Sequence, residues 1–574
     1  MPSFKKMRFV FILFILFALQ TVVFPCQSKS DVLAAETIKI GILEEPKTLN
    51  IWFATDAWSN RVLNLIYHPL YIRDPKTLKP VPWLAESAPQ FDKDKLSYTV
   101  RLRQARWSDG SEFTADDVAF TGNIIRKFKI PRNYSKWKFI KDIEVVDKHT
   151  VRFVLARPEA IFLSRTLFTP IVQKKQWESI ANEALRSSTP LAQLHRHEVK
   201  TPVGTGPFIL KNWRQGAYLF LEKNPHFFAT GKSIAGYTLG PYIEGIILKA
   251  FGTTDAAVLA LRKGSVDMFW WGIQPGYIED LLENRNIRIF TNEKSALYYL
   301  AFNLREKPFN DAHFRRAVAT LVDKEFIIKR VLQGYALKMQ TIVPPGNTFW
   351  HCSDVPTYGT NLKMQKRIRR AYDILRKAGY TWRVTPVGPE GKVVKGKAII
   401  LPDGTPMKKI TILTPPADYD PLRAMIGILI QEWLRKLGIP VTARPMSFGA
   451  LAQRVKIRRQ FDMFILGFGN LSLDPDYLRS FFHSSNNKPR GWNTSGYNNP
   501  EFDSLSDRSS QILNLENRRE LILEMQRILM RDLPFIPLYD PKLVEAVRTD
   551  RFSGWVEMLG GIGNTWSFCL IKPK

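Results

Sequence analysis

Residues 203–228 read VGTGPFILKNWRQGAYLFLEKNPHFF. Two short apolar runs, 207–210 and 217–221, flank residues 212–216, and Pro225 shuts off the second run, which is the pattern of a β-hairpin. Gly204-Thr205-Gly206-Pro207 stands just before it. The two glycines free the backbone and the proline favours an extended residue before it, so the chain can turn sharply into the first strand. Two arrangements fit this stretch. It is either the point where the chain returns to an earlier domain after an excursion, or an ordinary hairpin within one sheet.

Working outward, length favours the presence of several domains. At 574 residues the chain exceeds what one core normally supports. A composition of 45% hydrophobic and 24% charged residues is that of a globular protein, which excludes a disordered chain. The net charge of +30 favours anionic partners at long range. The basic residues are scattered, however, and the local clusters at 363–370 and 454–459 lie in segments of helical spacing, as a solvated helix face does. No helix-turn-helix, finger or arginine-rich arm accompanies them, so nucleic acid is not an expected partner.

The amino terminus has the pattern of a secretory leader. Lys5, Lys6 and Arg8 precede an apolar run over 9–19, extended by 22–24, and polar residues follow at once. Residues 1–34 are read as the signal peptide, with cleavage after Val32-Leu33-Ala34, and the mature chain as periplasmic or otherwise extracytoplasmic. Cys26 is the competing feature, as a lipid-modified anchor, although Pro25 stands where a small residue is expected. Retention as a single membrane anchor is a third reading. Only Cys352 and Cys569 remain beyond the leader, and two unpaired buried thiols are expected.

From residue 37 onward, strands and helices alternate. Residues 38–42 and 98–103 alternate as strands, and Thr114 with Asp117 forms a capping box for a helix carrying Val118, Thr121, Ile125 and Phe128. Asp116 and Asp117 there complement the helix dipole. Thr254 is expected to cap a helix reaching Lys263, and residues 266–272 follow as a strand ending in Trp270 and Trp271. Such an edge is where α/β proteins bind ligands, though either indole could equally be core. Asn310 and Asp323 are read as caps of helices over 315–321 and 325–332. Residues 382–399 are read as a surface hairpin. Asp420-Pro421 opens an amphipathic helix with Leu422, Ile426, Leu429, Trp433 and Leu437 at three-to-four spacing, and Gly438 ends it. Strands at 441–446 and 461–466 complete a second α/β lobe.

Several of these segments together resemble the family 5 extracellular solute-binding proteins, the peptide and nickel receptors of ABC importers. They are Trp107-Ser108-Asp109-Gly110 with Phe113-Thr114-Ala115-Asp116-Asp117-Val118, Gly204-Thr205-Gly206-Pro207-Phe208 with Asn224-Pro225, and Phe302-Asn303 with Pro308-Phe309-Asn310-Asp311 and Arg315-Arg316-Ala317. Leu401-Pro402-Asp403-Gly404-Thr405-Pro406 and Ile536-Pro537-Leu538-Tyr539 extend the match over nearly the whole mature chain. The resemblance implies an α/β, two-lobed type II periplasmic-binding-protein-like fold with an additional domain. It implies lobe I from 36–77, 201–301 and 541–574, the additional domain from 78–200, and lobe III from 302–540. It also implies a monomeric receptor that captures peptides or peptide-like solutes and delivers them to the permease subunits of an ABC transporter, with no cofactor, metal or catalytic residue.

By position, the resemblance implies ligand contacts from Thr55, Asp56 and Trp58, from Trp270 and Trp271, from Tyr299, and from Phe468, Gly469, Asn470 and Leu471. A buried peptide amino terminus needs a carboxylate partner. Relatives supply an aspartate three positions before an acidic-Pro pair, here Asp474-Pro475, and Leu471 holds that place. Asp56, Asp474 and Asp476 are the carboxylates that could compensate, or the solute is something other than a short peptide, such as a nickel complex or glycan. A solute sensor would use the same fold. A secreted hydrolase finds little support. Gly231-Lys232-Ser233 lacks the earlier glycine of a phosphate loop, with His226 at that position, and His195-Arg196-His197 has no nearby third metal ligand. The chain has no HExxH or GxSxG pattern.

Overall fold

The computed structural model describes residues 36–574. The leader and Cys26 therefore lie outside the described residues. Strand Thr37–Ile42 begins the chain as a buried run, TIKIGI, and pairs in parallel with Gly245–Ala250 and with Met268–Phe269. Its isoleucines, Ile38, Ile40 and Ile42, are all buried, with Lys39 half-buried between them. The full sheet has seven strands, in the order Ile287–Asn292, Leu543–Arg548, Met268–Phe269, Thr37–Ile42, Gly245–Ala250, Tyr218–Lys223 and Phe208–Arg214. The hairpin of the opening stretch is thus two adjacent strands at one edge of the sheet that residue 37 started, with Gly216 at φ 76° in its turn.

Gly204 and Gly206 serve closeness of approach, since neither has a positive φ. A Cβ on either would collide with the carbonyl oxygens that end helix Ala57–Ile66, and Gly206 N donates to Ile66 O at 2.8 Å. The returning chain is laid directly against the helix end, satisfying one of its free carbonyls.

Between these parts of lobe I lies a separate antiparallel sheet, in the order Gln90–Asp92, Ser97–Arg101, Thr150–Leu155 and Ile140–Asp147. Helix Ala115–Lys127 packs on it behind the expected capping box. The Asp117 carboxylate accepts from Thr114 N, Lys174 N and Trp107 Nε1, so it ties the helix start to two other segments.

The lobe III sheet runs Ala336–Lys338, Phe535–Pro541, Leu297–Phe302, Met463–Phe468, Ile410–Thr414 and Val441–Pro445. The last three strands are mutually parallel. Helix Pro421–Lys436 starts on the Asp420 cap and is followed by Gly438 at φ 83°.

Several expected positions shift. Thr253 rather than Thr254 caps helix Thr254–Arg262, and Asp311 rather than Asn310 caps Ala312–Leu321. Only Met268–Phe269 of the 266–272 run is strand. The boundary expected at residue 302 falls at the end of a lobe III strand, Leu297–Phe302, so the chain crosses between lobes at 293–296. That crossing, Glu-Lys-Ser-Ala, carries no Gly or Pro to announce it. The return crossing lies between Phe535–Pro541 and Leu543–Arg548. Cys352 and Cys569 are both buried and free.

Two large cores follow this division. One runs from Ile38 through Trp83, Trp107 and Phe153 to Phe568, uniting lobe I with the additional domain. The other lies wholly within lobe III, from Leu297 to Tyr539. The molecule is therefore two bodies joined by two short crossings, the construction that permits hinge motion.

Candidate functional site between the lobes

In both bodies the parallel strands end toward loops that begin helices, the place where open α/β sheets receive ligands. In lobe I, residues 43–56 leave Thr37–Ile42 and enter helix Ala57–Ile66. Asp56 caps that helix, accepting from Ser59 N at 2.8 Å and Ser59 Oγ at 2.5 Å. Its carboxylate is thus spent on the helix start, and Thr55 beside it is exposed.

Trp58, one turn in, lies 5.1 Å from Trp271 between ring centroids. The two tryptophans at the strand end divide their roles. Trp270 is buried against Phe568 and leaves no room for a side chain on Gly563, whereas Trp271 is 36% exposed. Arg61, which the sequence reading passed over, stands over all three indoles, with its guanidinium carbon 4.7, 5.1 and 5.2 Å from Trp58, Trp270 and Trp271. It donates to the Trp270 carbonyl. Burial lowers its pKa to about 10, and Glu545 partly offsets the shift.

In lobe III the expected Tyr299 is a core residue. It is 3% exposed and stacks on Phe535 at 4.2 Å and on Phe468 at 5.6 Å. An irregularity in strand pairing separates it from Tyr298. Tyr298 stacks on Tyr539 at 4.7 Å and lies beneath the Arg423 guanidinium at 5.6 Å. Arg423 is itself paired with Asp420 at 2.6 Å. In the loops after Ile410–Thr414 and Val441–Pro445, Tyr419 and Phe448 stack at 5.4 Å while 58% and 44% exposed. This aromatic pair at adjacent strand ends was also missed, because its members lie 29 residues apart in sequence, Phe448 opening the short helix Phe448–Ala452.

The loop after Met463–Phe468 behaves as three different parts. Phe468 stacks on Phe481 at 4.3 Å, Gly469 and Asn470 are exposed, and Leu471 is buried, with its N–H donating to Ser295 O at 2.7 Å. Asp474 does not face the cleft. Both oxygens engage Arg518, at 2.7 and 2.8 Å, and one also accepts from Ser164 Oγ at 2.5 Å. Burial raises its pKa, and Arg518 more than offsets that, leaving the carboxylate below its ordinary range. Asp476 is likewise engaged by Arg165 at 3.1 Å. All three carboxylates considered as substitutes at Leu471 are therefore committed to other partners. Next to Ser295, which Leu471 bonds, Ala296 N donates to Asp540 Oδ1 at 3.1 Å, and Asp540 Oδ2 is buried without a partner among the described residues. Burial pushes Asp540 up to about 8, with the Ala296 N–H opposing.

Two bodies, each with parallel strands that end in helix-starting loops and joined by two crossings, have the architecture of a solute receptor of the periplasmic-binding class. The model of the bacterial extracellular solute-binding proteins, family 5, matches residues 79–489, more than half of the chain, and the protein belongs to that family. The chain is 28% identical over 511 residues to the oligopeptide-binding protein AppA of Bacillus subtilis, covering 88% of this chain and 86% of the relative. It is 24% identical to the glutathione-binding protein GsiB of Salmonella typhi, covering 91% and 93%. Among solved structures, AppA in complex with a nonapeptide superposes with a TM-score of 0.70 at 25% identity, over 94% of this chain and 99% of that one. NikZ of Campylobacter jejuni in complex with Ni(L-His) also gives 0.70, at 24% identity over 93% and 98%, a likeness of fold.

Proposed function

We propose that the protein captures peptides or peptide-like solutes between its lobes, closes on them by hinge motion, and hands them to the permease subunits of an ABC importer. The observation that carries this reading is the pair of aromatic surfaces at the strand ends of two bodies joined by only two crossings. Entry needs an open cleft, and affinity needs the solute desolvated once inside. Trp271 on lobe I, backed by the buried Trp58, faces Tyr298, Tyr419 and Phe448 on lobe III in this reading, with Thr55, Gly469 and Asn470 lending backbone and polar groups. Aromatic walls grip varied side chains, and main-chain groups hold an extended peptide with little regard to sequence.

The names of the relatives, oligopeptide-binding and glutathione-binding, support a peptide-like solute. The receptor acts without catalysis, as a monomer, outside the cytoplasm after export on its leader. Among the described residues no helix is long and apolar enough to cross a membrane.

Native mass spectrometry of the protein purified from its own host, with fragmentation of whatever it carries, tests the reading. Short peptides of mixed sequence support it. A single solute that yields no amino acids on hydrolysis sinks the peptide assignment.

A further inference from the structure

The far end of the lobe III sheet carries a second concave site. A cavity of about 830 Å³ is lined there by Ile410, Asp462 and residues 303–310, which follow strand Leu297–Phe302. The cleft loops at 415–420 and 469–474 leave the opposite ends of the same parallel strands, Ile410–Thr414 and Met463–Phe468. Five or six residues of strand put roughly 15–20 Å between the two sites.

Two guanidiniums converge at this cavity. Arg305 Nη2 donates to Asn487 Oδ1 at 2.9 Å, and Arg459 Nη2 donates to the same oxygen. The other acceptors of Arg305 are Asn303 Oδ1 at 2.7 Å and Thr494 O at 3.1 and 3.2 Å. All these partners are neutral, and neither arginine forms an ion pair among the described residues. Local structure holds both in place. Gly496, at φ 75°, leaves no room for a side chain against the Arg305 guanidinium, and Asn303 is fixed by donating to Phe461 O at 2.9 Å. Arg459 ends helix Gln453–Arg458 in the left-handed conformation, φ 58°, which is uncommon outside glycine.

The cavity wall adds Lys307, Lys408, Lys409 and Arg454 against two acids, Glu306 and Asp462. Asp403 pairs with Lys307 at 2.8 Å, and Asp462 accepts from Thr411 N at 2.8 Å. Like charges that share one amide oxygen repel each other. Burial lowers the Arg305 pKa to about 10, and the Arg459 charge lowers it further.

We propose that this cavity is a phosphate-binding site, with Arg305 and Arg459 at its centre and Arg454, Lys408 and Lys409 around it. It is separate from the solute cleft and independent of the peptide reading. A tetrahedral oxyanion offers more acceptor oxygens than a carboxylate, which suits donors arriving from several sides. Guanidinium forks bind phosphate with defined geometry, and ammonium groups add charge. A small phosphate and a phospholipid headgroup share this chemistry, and the test separates them.

The full mature chain, prepared in chloride, is titrated calorimetrically with inorganic phosphate at constant ionic strength. Saturable binding is expected, with a melting temperature that rises with phosphate and not with matched chloride. Arg459→Gln and Arg454→Gln are each expected to weaken binding by at least about tenfold, and Arg459→Lys to keep part of it. Arg454 gives one hydrogen bond, to Gln460 O, and no ion pair among the described residues, so its variant guards against misfolding as the cause. Lys263→Gln, exposed on lobe I, removes the same charge and is expected to leave binding unchanged. Flotation with phosphatidylglycerol vesicles is the second arm. Inorganic phosphate bound through Arg459 assigns the site to small phosphates. Vesicles bound through Arg459, without inorganic phosphate, assign it to a lipid headgroup. Binding of neither, binding unchanged in both glutamine variants, or an equal loss in Lys263→Gln overturns the proposal.

Discussion

Trp270 and Trp271 are chemically identical neighbours with different work to do. Trp270 is buried against Phe568 under Gly563, so Trp270→Ala is expected to cost roughly 3–5 kcal/mol in urea unfolding. Trp271 is partly open, and Trp271→Ala is expected to leave stability within about 1 kcal/mol while weakening solute capture about tenfold. The reverse pattern would remove Trp271 from the site. Asp540 gives a second prediction at this scale. Its pKa in the folded chain, about 8, stands above the ordinary aspartate value of about 4. The folded chain then binds the proton more tightly than the unfolded one, so this group lets stability fall as pH rises from about 4 to about 8, with no further change above. Asp540→Asn is expected to raise the stability of the empty protein at pH 8 by about 1–3 kcal/mol and to change it little at pH 4. Thermal melts across that range decide it, and a variant less stable at pH 8 refutes the assignment.

Elements explain both what the sequence disclosed and what it hid. Glycine and helix-cap signals were readable because they act locally. The capping box at Thr114 and Asp117, the Asp420-Pro421 helix start and the hairpin around Gly216 all stand in the structure. The crossing at 293–296 was hidden, because it turns on no special residue and its neighbours read as continuous strand. Tyr299 was carried over by position from the family resemblance, and its stacking on Phe535 and Phe468, together with the pairing irregularity beside Tyr298, is a tertiary feature that position does not reveal. Asp474 was misread because its partners are distant in sequence. Arg518 lies 44 residues away and Ser164 lies 310 away. These contacts dock the short helix Phe162–Thr166 of the additional domain against lobe III, helped by Arg165 with Asp476 and by Ala160 N with Ser510 O at 2.9 Å. Removing one partner of a buried pair strands the other's charge, so Asp474→Asn is expected to destabilise by about 3–5 kcal/mol. Urea unfolding of the empty protein measures it, and a change within about 1 kcal/mol would contradict the buried pairing.

At the scale of the molecule, one core holds lobe I and the additional domain together and another holds lobe III. Each body can keep its packing while the two move, because only 293–296 and the link near Lys542 cross between them. Contacts across the two bodies include the polar pairs Ser164 with Asp474 and Arg165 with Asp476, which can form and break without opening a core. The central claim is that capture and closure are one event. Small-angle X-ray scattering of the protein stripped of carried solute, alone and with a saturating tripeptide library, measures it directly. The account predicts a smaller radius of gyration with solute, and a smaller shift when Trp271 is alanine. Bound solute with an unchanged radius would contradict a receptor that works by closing its lobes.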